Sequence, residues 1–311
     1  MKKYLAIDLG GTKLAVSLFN DDKLVDKISE ATLREGNDTV VPEQIIRMSA
    51  DIIAKNKLSF DGTSGVGVSS CGPFIIKNGN KFLAKPYLCG GLTGGKYAPN
   101  EWKEIPLESV LKKTFPGVVI QNDCVAAVKA EKMFGAGKES DNFVYVTWST
   151  GLGTGAIVDG HLISGKNGNA PHLGHIIVTK EDQHLCGCGQ YGHMEGEVAG
   201  GALGRQYGER ATAKEVFEKY RKGEDKAIKI VERAVDLFSL GLASMNAILD
   251  NEFFSIGGSV FTENKDILLP KIKEKFAEHA YVPLGTGVQI IESPLGERIA
   301  DYGALSLVIN A

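Results

Sequence analysis

A glycine pair between two strands, rather than before a helix, is what most constrains this chain. Residues 4–9 (Tyr-Leu-Ala-Ile-Asp-Leu) read as a buried strand, Gly10-Gly11-Thr12 as a tight turn and Lys13–Phe19 as a returning strand. A turn at residues 20–23 and a strand over Leu24–Ile28 complete an antiparallel meander. Walker and dinucleotide loops need their glycines at the opening of a helix. Asp8-Leu-Gly-Gly-Thr-Lys13 opens a strand, so both folds are excluded. The hairpin offers backbone instead. Gly10 and Gly11 clear side chains from N–H groups that can face an anion, Thr12 adds a hydroxyl and Lys13 a positive charge. Asp8, at the strand end, can hold a hydrated Mg²⁺. A plain hairpin turn would use Gly-Gly equally well.

The same pattern returns downstream. Asn142–Trp148 reads as a strand, Ser149–Gly155 as a polar glycine turn and Ala156–Val158 as the strand back. Between the two hairpins, a strand over Gly117–Ile120 runs into Gln121-Asn122-Asp123 and a helix with Val125, Val128, Met133 and Phe134 on its apolar face. A carboxylate there can be a mere helix cap. Two strand–Gly-Thr–strand hairpins with a strand-end Asp between them suggest one phosphate chain gripped from two sides. In that reading Thr150 and Thr154 bind phosphate oxygens while Gly151 and Gly153 open the backbone.

His175, Cys186, Cys188 and His193 follow as His-x10-Cys-x-Cys-x4-His. Four borderline or soft ligands with glycines between them fit a closed tetrahedral Zn²⁺ site, hence a structural metal that would steady His172 and Glu195. His184 is a competing ligand ranked below His193. Residues 77–100 hold seven glycines or prolines and read as a substrate-facing flap. Helices are expected over Val41–Ala54, Leu107–Lys113, Lys226–Leu249, Asp266–Glu278 and Gly296–Ile309, with a capping box at Thr212-Ala-Lys-Glu215. Strands are expected over 65–70, 251–256 and Val288–Ile291. Gly257-Gly258, at a strand end before a helix, would let a flat ring such as adenine lie on backbone, or be a simple turn.

Composition narrows the setting. A formal charge of −3 over 311 residues implies no bulk attraction to nucleic acid or anionic membrane. No apolar run is long enough to span a bilayer, and Asp8 breaks any signal-peptide core. Five cysteines, two of them as Cys-x-Cys, argue against a disulfide framework and for a reducing, cytoplasmic location.

Together these motifs resemble the ROK family of sugar kinases in the actin/hexokinase/heat-shock ATPase superfamily, across nearly the whole chain. Asp8–Lys13 is similar to its first phosphate motif, Gln121-Asn122-Asp123-Cys-Val-Ala-Ala to its catalytic segment and Ser149–Gly155 to its second phosphate motif. Ile256-Gly257-Gly258-Ser259 is similar to its adenosine motif, and Cys186-Gly-Cys188-Gly-x-x-Gly192 to its zinc signature. The resemblance implies an α/β fold of two ribonuclease-H-like lobes with ATP and sugar in the cleft. The expected lobes are 1–121, completed by a helix over 296–311, and 122–295. It implies ATP, Mg²⁺ and structural Zn²⁺, a sugar substrate and a homodimer. Asp123 would be the catalytic base, and Gly72, Asn122, His172, His175 and Glu195 would hold the sugar.

Two positions depart from the family pattern. His193 stands for the usual third zinc cysteine, and His172-Leu-Gly-His175 for Glu-x-Gly-His. The Pro-His-Leu-Gly-His variant resembles N-acetylmannosamine kinases of the Thermoplasma type. The reaction expected is therefore 6-phosphorylation of N-acetylmannosamine, with glucose or N-acetylglucosamine as the alternatives. A sugar-responsive repressor would carry a helix-turn-helix ahead of the first strand, for which residues 1–3 leave no room. A chaperone-like or filament-forming ATPase lacks a reason for the sugar motif.

Overall fold

The computed structural model describes residues 1–96 and 98–309. Contacts divide the chain into two compact units. The first holds Met1–Phe134, Ser164–Ala170 and the chain from Glu297 on, and the second holds Gly135–Ile163 and Pro171–Gly296. The division falls after Phe134, so Asn122 and Asp123 lie in the first unit and not, as expected, in the second.

The first unit is built on β1 (Lys3–Leu9), β2 (Lys13–Asn20) and β3 (Lys23–Ala31), the expected antiparallel meander. Helix α1 (Val40–Lys55) leads to β4 (Gly65–Ser70), β5 (Phe74–Lys77) and β6 (Asn80–Leu83). Then come α2 (Leu107–Thr114), β7 (Val119–Asn122) and α3 (Asp123–Phe134). The sheet order is β3-β2-β1-β4-β7, with β4 and β7 parallel to β1. Both faces of β1 are buried: Leu5, Ile7 and Leu9 join one core cluster, Tyr4 and Ala6 another. That is why its sequence is a continuous apolar run rather than an alternation. The segment read as a flap is partly ordered, since β5 and β6 pair as a hairpin and Leu88 and Cys89 are buried. Tyr97, in that same stretch, lies outside the described residues.

The second unit repeats the plan. Strands β8 (Phe143–Trp148), β9 (Leu152–Val158) and β10 (His161–Ile163) form a meander. Helices α4 (Met194–Val198), α5 (Gly200–Tyr207), α6 (Ala213–Arg221) and α7 (Asp225–Leu249) follow. Next are β11 (Phe253–Gly257), α8 (Ser259–Glu263), α9 (Lys265–His279), α10 (Val282–Gly285) and β12 (Gln289–Glu292). Its order, β10-β9-β8-β11-β12, is that of the first sheet, with β11 and β12 again parallel to the leading strand. Val231, Val235, Phe238 and Leu242 of α7 lie in this core, each contributing roughly 1.5–3 kcal/mol by burial. Trp148 stacks on Phe238 at 4.2 Å between ring centroids, and its indole N–H donates to Val198 O at 2.8 Å. Thr212 and Glu215 form the expected capping box.

The last helix, α11 (Ile299–Ser306), belongs to the first unit. It is shorter than the 296–311 expected: residues 296–298 form a 3-10 turn, and the final two positions lie outside the described residues. Asp301 fastens it to the meander, accepting from Ser17 Oγ at 2.8 Å and Lys27 Nζ at 2.7 Å. A Cβ on Gly67 would collide with the Ala304 backbone, so only glycine lets this helix lie so close to β4. Among the described residues no helix is long and apolar enough to cross a membrane.

Candidate active site

In each sheet the parallel strands end at the residues singled out from the sequence, where ligands of open α/β sheets bind. In the first unit β1 ends at Asp8-Leu9, β4 leads into Cys71-Gly72, and β7 ends at Asn122. In the second, β8 leads into Ser149-Thr150-Gly151 and β11 into Gly257-Gly258.

The Gly10–Lys13 turn closes on itself, with Gly10 N–H donating to Lys13 O at 2.9 Å. Thr32 braces it, its N–H donating to Thr12 O at 3.1 Å and its hydroxyl to Gly10 O at 3.0 Å. Thr12 and Lys13 are exposed. Tyr87 stands against this turn, its Cβ 3.7 Å from where a Cβ on Gly11 would be. Burial of its carboxyl, reinforced by the charges of Asp123 and Asp301, pushes Asp8 up to about 7, against the opposing pull of Lys27 and Lys13. Two carboxylates that repel each other in a partly buried place are a natural seat for a divalent cation.

Asn122 and Asp123 divide their work by atom. Asn122 Oδ1 caps α3, accepting from Cys124 N at 3.0 Å and Val125 N at 3.4 Å. Its Nδ2 points toward Gly72, where a Cβ would lie only 3.0 Å away. Asp123 Oδ1 accepts from Cys124 N at 2.8 Å. Asn122 is thus the cap, and Asp123 at the first position of the helix is half-buried.

The second glycine turn is shorter than expected. β9 begins at Leu152, so the turn is only Ser149-Thr150-Gly151. Gly153, Thr154 and Gly155 pair in register with Thr147, Val146 and Tyr145. Thr154 therefore does not grip phosphate. It shares a strand face with the core residues Leu152 and Ala156, is 1% exposed, and its buried hydroxyl has no hydrogen-bond partner among the described residues. Thr150 remains exposed at the turn. The glycine at 151 is explained by Glu195, whose Oε2 would lie 3.1 Å from a Cβ there and accepts from Leu152 N at 3.2 Å. Gly258 is dictated locally too: its φ is +91°, and a Cβ would strike the Trp148 backbone.

The ligand atoms of His175, Cys186, Cys188 and His193 all lie within 4.8 Å of one another. Cys186 Sγ is 3.8 Å from His175 Nδ1, and Cys188 Sγ is 3.1 Å from His193 Nδ1. Burial pushes the Cys186 thiol up to about 12; a hydrogen bond from the Cys188 backbone pulls the other way, while the Cys188 side chain and the Glu195 charge add to the rise. A bound cation would reverse that, because a coordinated thiol loses its proton outright. Two sulfurs and two imidazoles suit zinc, and a small contraction would close a tetrahedron. His184 is not in this cluster. Its Nδ1 lies 2.7 Å from Glu197 Oε2. His172 sits beside His175 with ring centroids 5.4 Å apart, and the Cys186 thiol donates to Glu195 Oε1 at 3.7 Å. His172 and Glu195 thus neighbour the His/Cys cluster.

The profile of the ROK family matches residues 4–311. A glucokinase of Pyrobaculum calidifontis is 34% identical over 312 positions, covering 99% of this chain and 95% of that protein. The chain belongs to the ROK family. An N-acetylmannosamine kinase of Haemophilus influenzae is 33% identical over 260 positions, covering 82% of this chain and 80% of that one. The crystal structure of a ROK hexokinase from Thermus thermophilus superposes with a TM-score of 0.80 at 25% identity, covering 99% of this chain and 98% of that one. The mixed α/β, actin-like ATPase fold expected from the motifs is therefore the fold of this ROK chain.

Proposed function

We propose that this ROK-family chain transfers the γ-phosphoryl group of ATP to the 6-hydroxyl of an N-acetylhexosamine, with N-acetylmannosamine as its substrate. The observation that carries the choice of sugar is His172 beside His175. A carboxylate at that position could only accept hydrogen bonds, whereas a neutral imidazole donates from one nitrogen and accepts at the other. An acetamido group presents both a carbonyl oxygen and an N–H. The histidine matches that pair better than glutamate does. Glucose is the second reading, favoured by the glucokinase relative that aligns along nearly the whole chain.

Asp123 takes the proton of the sugar's O6–H as that oxygen attacks the γ-phosphorus. The new O6–P bond forms while the bond from phosphorus to the β–γ bridging oxygen breaks, leaving its electrons on ADP. Little covalent work falls to the protein, so positioning and charge neutralisation dominate. Asn122 Nδ2, the Gly72 backbone, His172, His175 and Glu195 orient the sugar. Gly10, Gly11, Thr12, Lys13, Thr150, Gly151 and Gly153 hold phosphates, and Gly257-Gly258 the adenosine. Mg²⁺ at Asp8 would supply charge neutralisation of the phosphates. Zinc on His175, Cys186, Cys188 and His193 would supply rigidity, with His175 Nδ1 toward the metal and its other ring nitrogen toward the sugar. The homodimer implied by the family resemblance belongs to the same reading.

The test is the ratio of kcat/KM for N-acetylmannosamine to that for glucose, in the native chain and in His172→Glu. The native chain should favour N-acetylmannosamine, and the variant should move about tenfold or more toward glucose. Preference for glucose in the native chain, unmoved by the substitution, would decide for the second reading.

A further inference from the structure

Glu197 is neither a donor of the metal cluster nor one of the sugar-holding residues, yet its carboxylate is fully buried. Three groups answer it. His184 backbone N–H donates to Oε1 at 2.7 Å, His184 Nδ1 lies 2.7 Å from Oε2, and Arg233 Nη2 lies 3.2 Å from Oε2. The same Arg233 nitrogen reaches the carbonyls of Glu181 at 3.3 Å and Asp182 at 3.2 Å. Arg233 stands on α7, so the 181–184 loop is tied to the longest helix of its unit two residues before Cys186. Gln206 holds the other side, donating to Glu197 O at 2.7 Å.

Helix α4 carries this contact one residue beyond two others that face the same cysteine. Glu195 accepts from the Cys186 thiol. Gly196 is pressed on the Cys186 backbone, where a Cβ would lie 2.9 Å from its nitrogen and 3.0 Å from its Cα. Glu197 then seizes the loop entering Cys186. A buried carboxylate deprived of its charged partner is costly, so this arrangement has one strongly preferred geometry.

We infer that Glu197 is a positioning residue: paired with Arg233 and His184, it holds the Cys186 loop so that His175, Cys186 and Glu195 keep the spacing that metal and sugar both need. The inference rests on the proposed zinc and sugar roles of those three residues. Groups behind metal ligands commonly govern affinity by 10–100-fold when removed.

The experiment compares Glu197→Gln, Arg233→Met, Arg233→Lys and His184→Ala with the native chain. Zinc affinity is read by competition with a chromophoric chelator, steady-state kinetics give KM for sugar and ATP, and thermal unfolding is followed in parallel. Glu197→Gln and Arg233→Met should weaken zinc binding by about tenfold and raise the sugar KM to a similar degree. Their kcat and ATP KM should stay within about twofold, and Arg233→Lys should recover part of the loss. A fall in melting temperature with zinc affinity and sugar KM unmoved would overturn the inference. If Glu197→Gln fails to fold, Arg233→Met and His184→Ala decide by the same measures. If the native chain binds no zinc, the metal assignment fails and the sugar KM alone decides: raised in the variants it supports the positioning role, unchanged it refutes it.

Discussion

Replacing Asp8 by asparagine removes the most strongly displaced carboxylate of the first unit. In the fold its pKa rises from 3.8 to about 7, first because the carboxyl is desolvated and then because Asp123 and Asp301 repel its charge. At 1.36 kcal/mol per pH unit, that displacement corresponds to roughly 4 kcal/mol. A raised pKa means that the folded state keeps a proton which the unfolded chain releases. Stability contributed by neutral Asp8 is therefore complete below pH ~4, falls as pH rises toward 7, and levels off above it. Asparagine cannot ionise and lacks this slope. Urea unfolding of Mg²⁺-free and nucleotide-free protein, followed by circular dichroism from pH 4 to 8.5, measures the difference. The native chain should lose up to roughly 4 kcal/mol relative to Asp8→Asn across that window, and added Mg²⁺ should flatten the slope. Parallel curves for the two proteins would refute the reasoning, because they would mean Asp8 ionises in the fold as it does in water.

Three further outcomes are expected. Asp123→Asn should lower kcat by about 10²–10⁴-fold with sugar affinity largely kept, as isothermal titration would show. Thr154→Val should leave kcat and the ATP KM unchanged while stabilising the fold by about 1 kcal/mol, since it deletes a buried hydroxyl with no partner among the described residues; calorimetry would read a rise of roughly 1–2 °C. Gently purified protein should hold about one zinc per chain by elemental analysis, and Cys186→Ser should lower that content and raise the sugar KM more than the ATP KM.

Much of the fold was readable in the chain because its signals are local. The apolar run of Tyr4–Leu9 and the Gly10-Gly11 turn announce a meander without reference to anything distant. Asn122 and Asp123 could be placed at a strand-to-helix junction for the same reason. Thr154 could not be placed. Gly153-Thr154-Gly155 has the composition of a turn, and only pairing with Thr147, Val146 and Tyr145 makes it strand. Helices α4 and α5 were missed because glycines at 196, 200, 201 and 204 argue against helix, whereas close approach to Cys186, Ser149 and Ala211 requires those at 196, 200 and 204. By spacing His184 competes with His193 for a place on a metal, though it ranks below it. Glu197 separates them, and nothing in the order of residues couples it to Arg233, thirty-six positions on. Domain assignment of residues 123–134 depended likewise on packing rather than on any break in composition.

The proposed reaction is phosphorylation of N-acetylmannosamine at its 6-hydroxyl. Incubation with ATP, Mg²⁺ and that sugar, followed by phosphorus–proton correlation NMR of the products, tests it directly. ADP and a sugar whose new phosphate couples to the two C6 protons should form in equal amounts. ATP breakdown to free phosphate at the same rate with and without sugar, and no phosphorylated sugar, would contradict it.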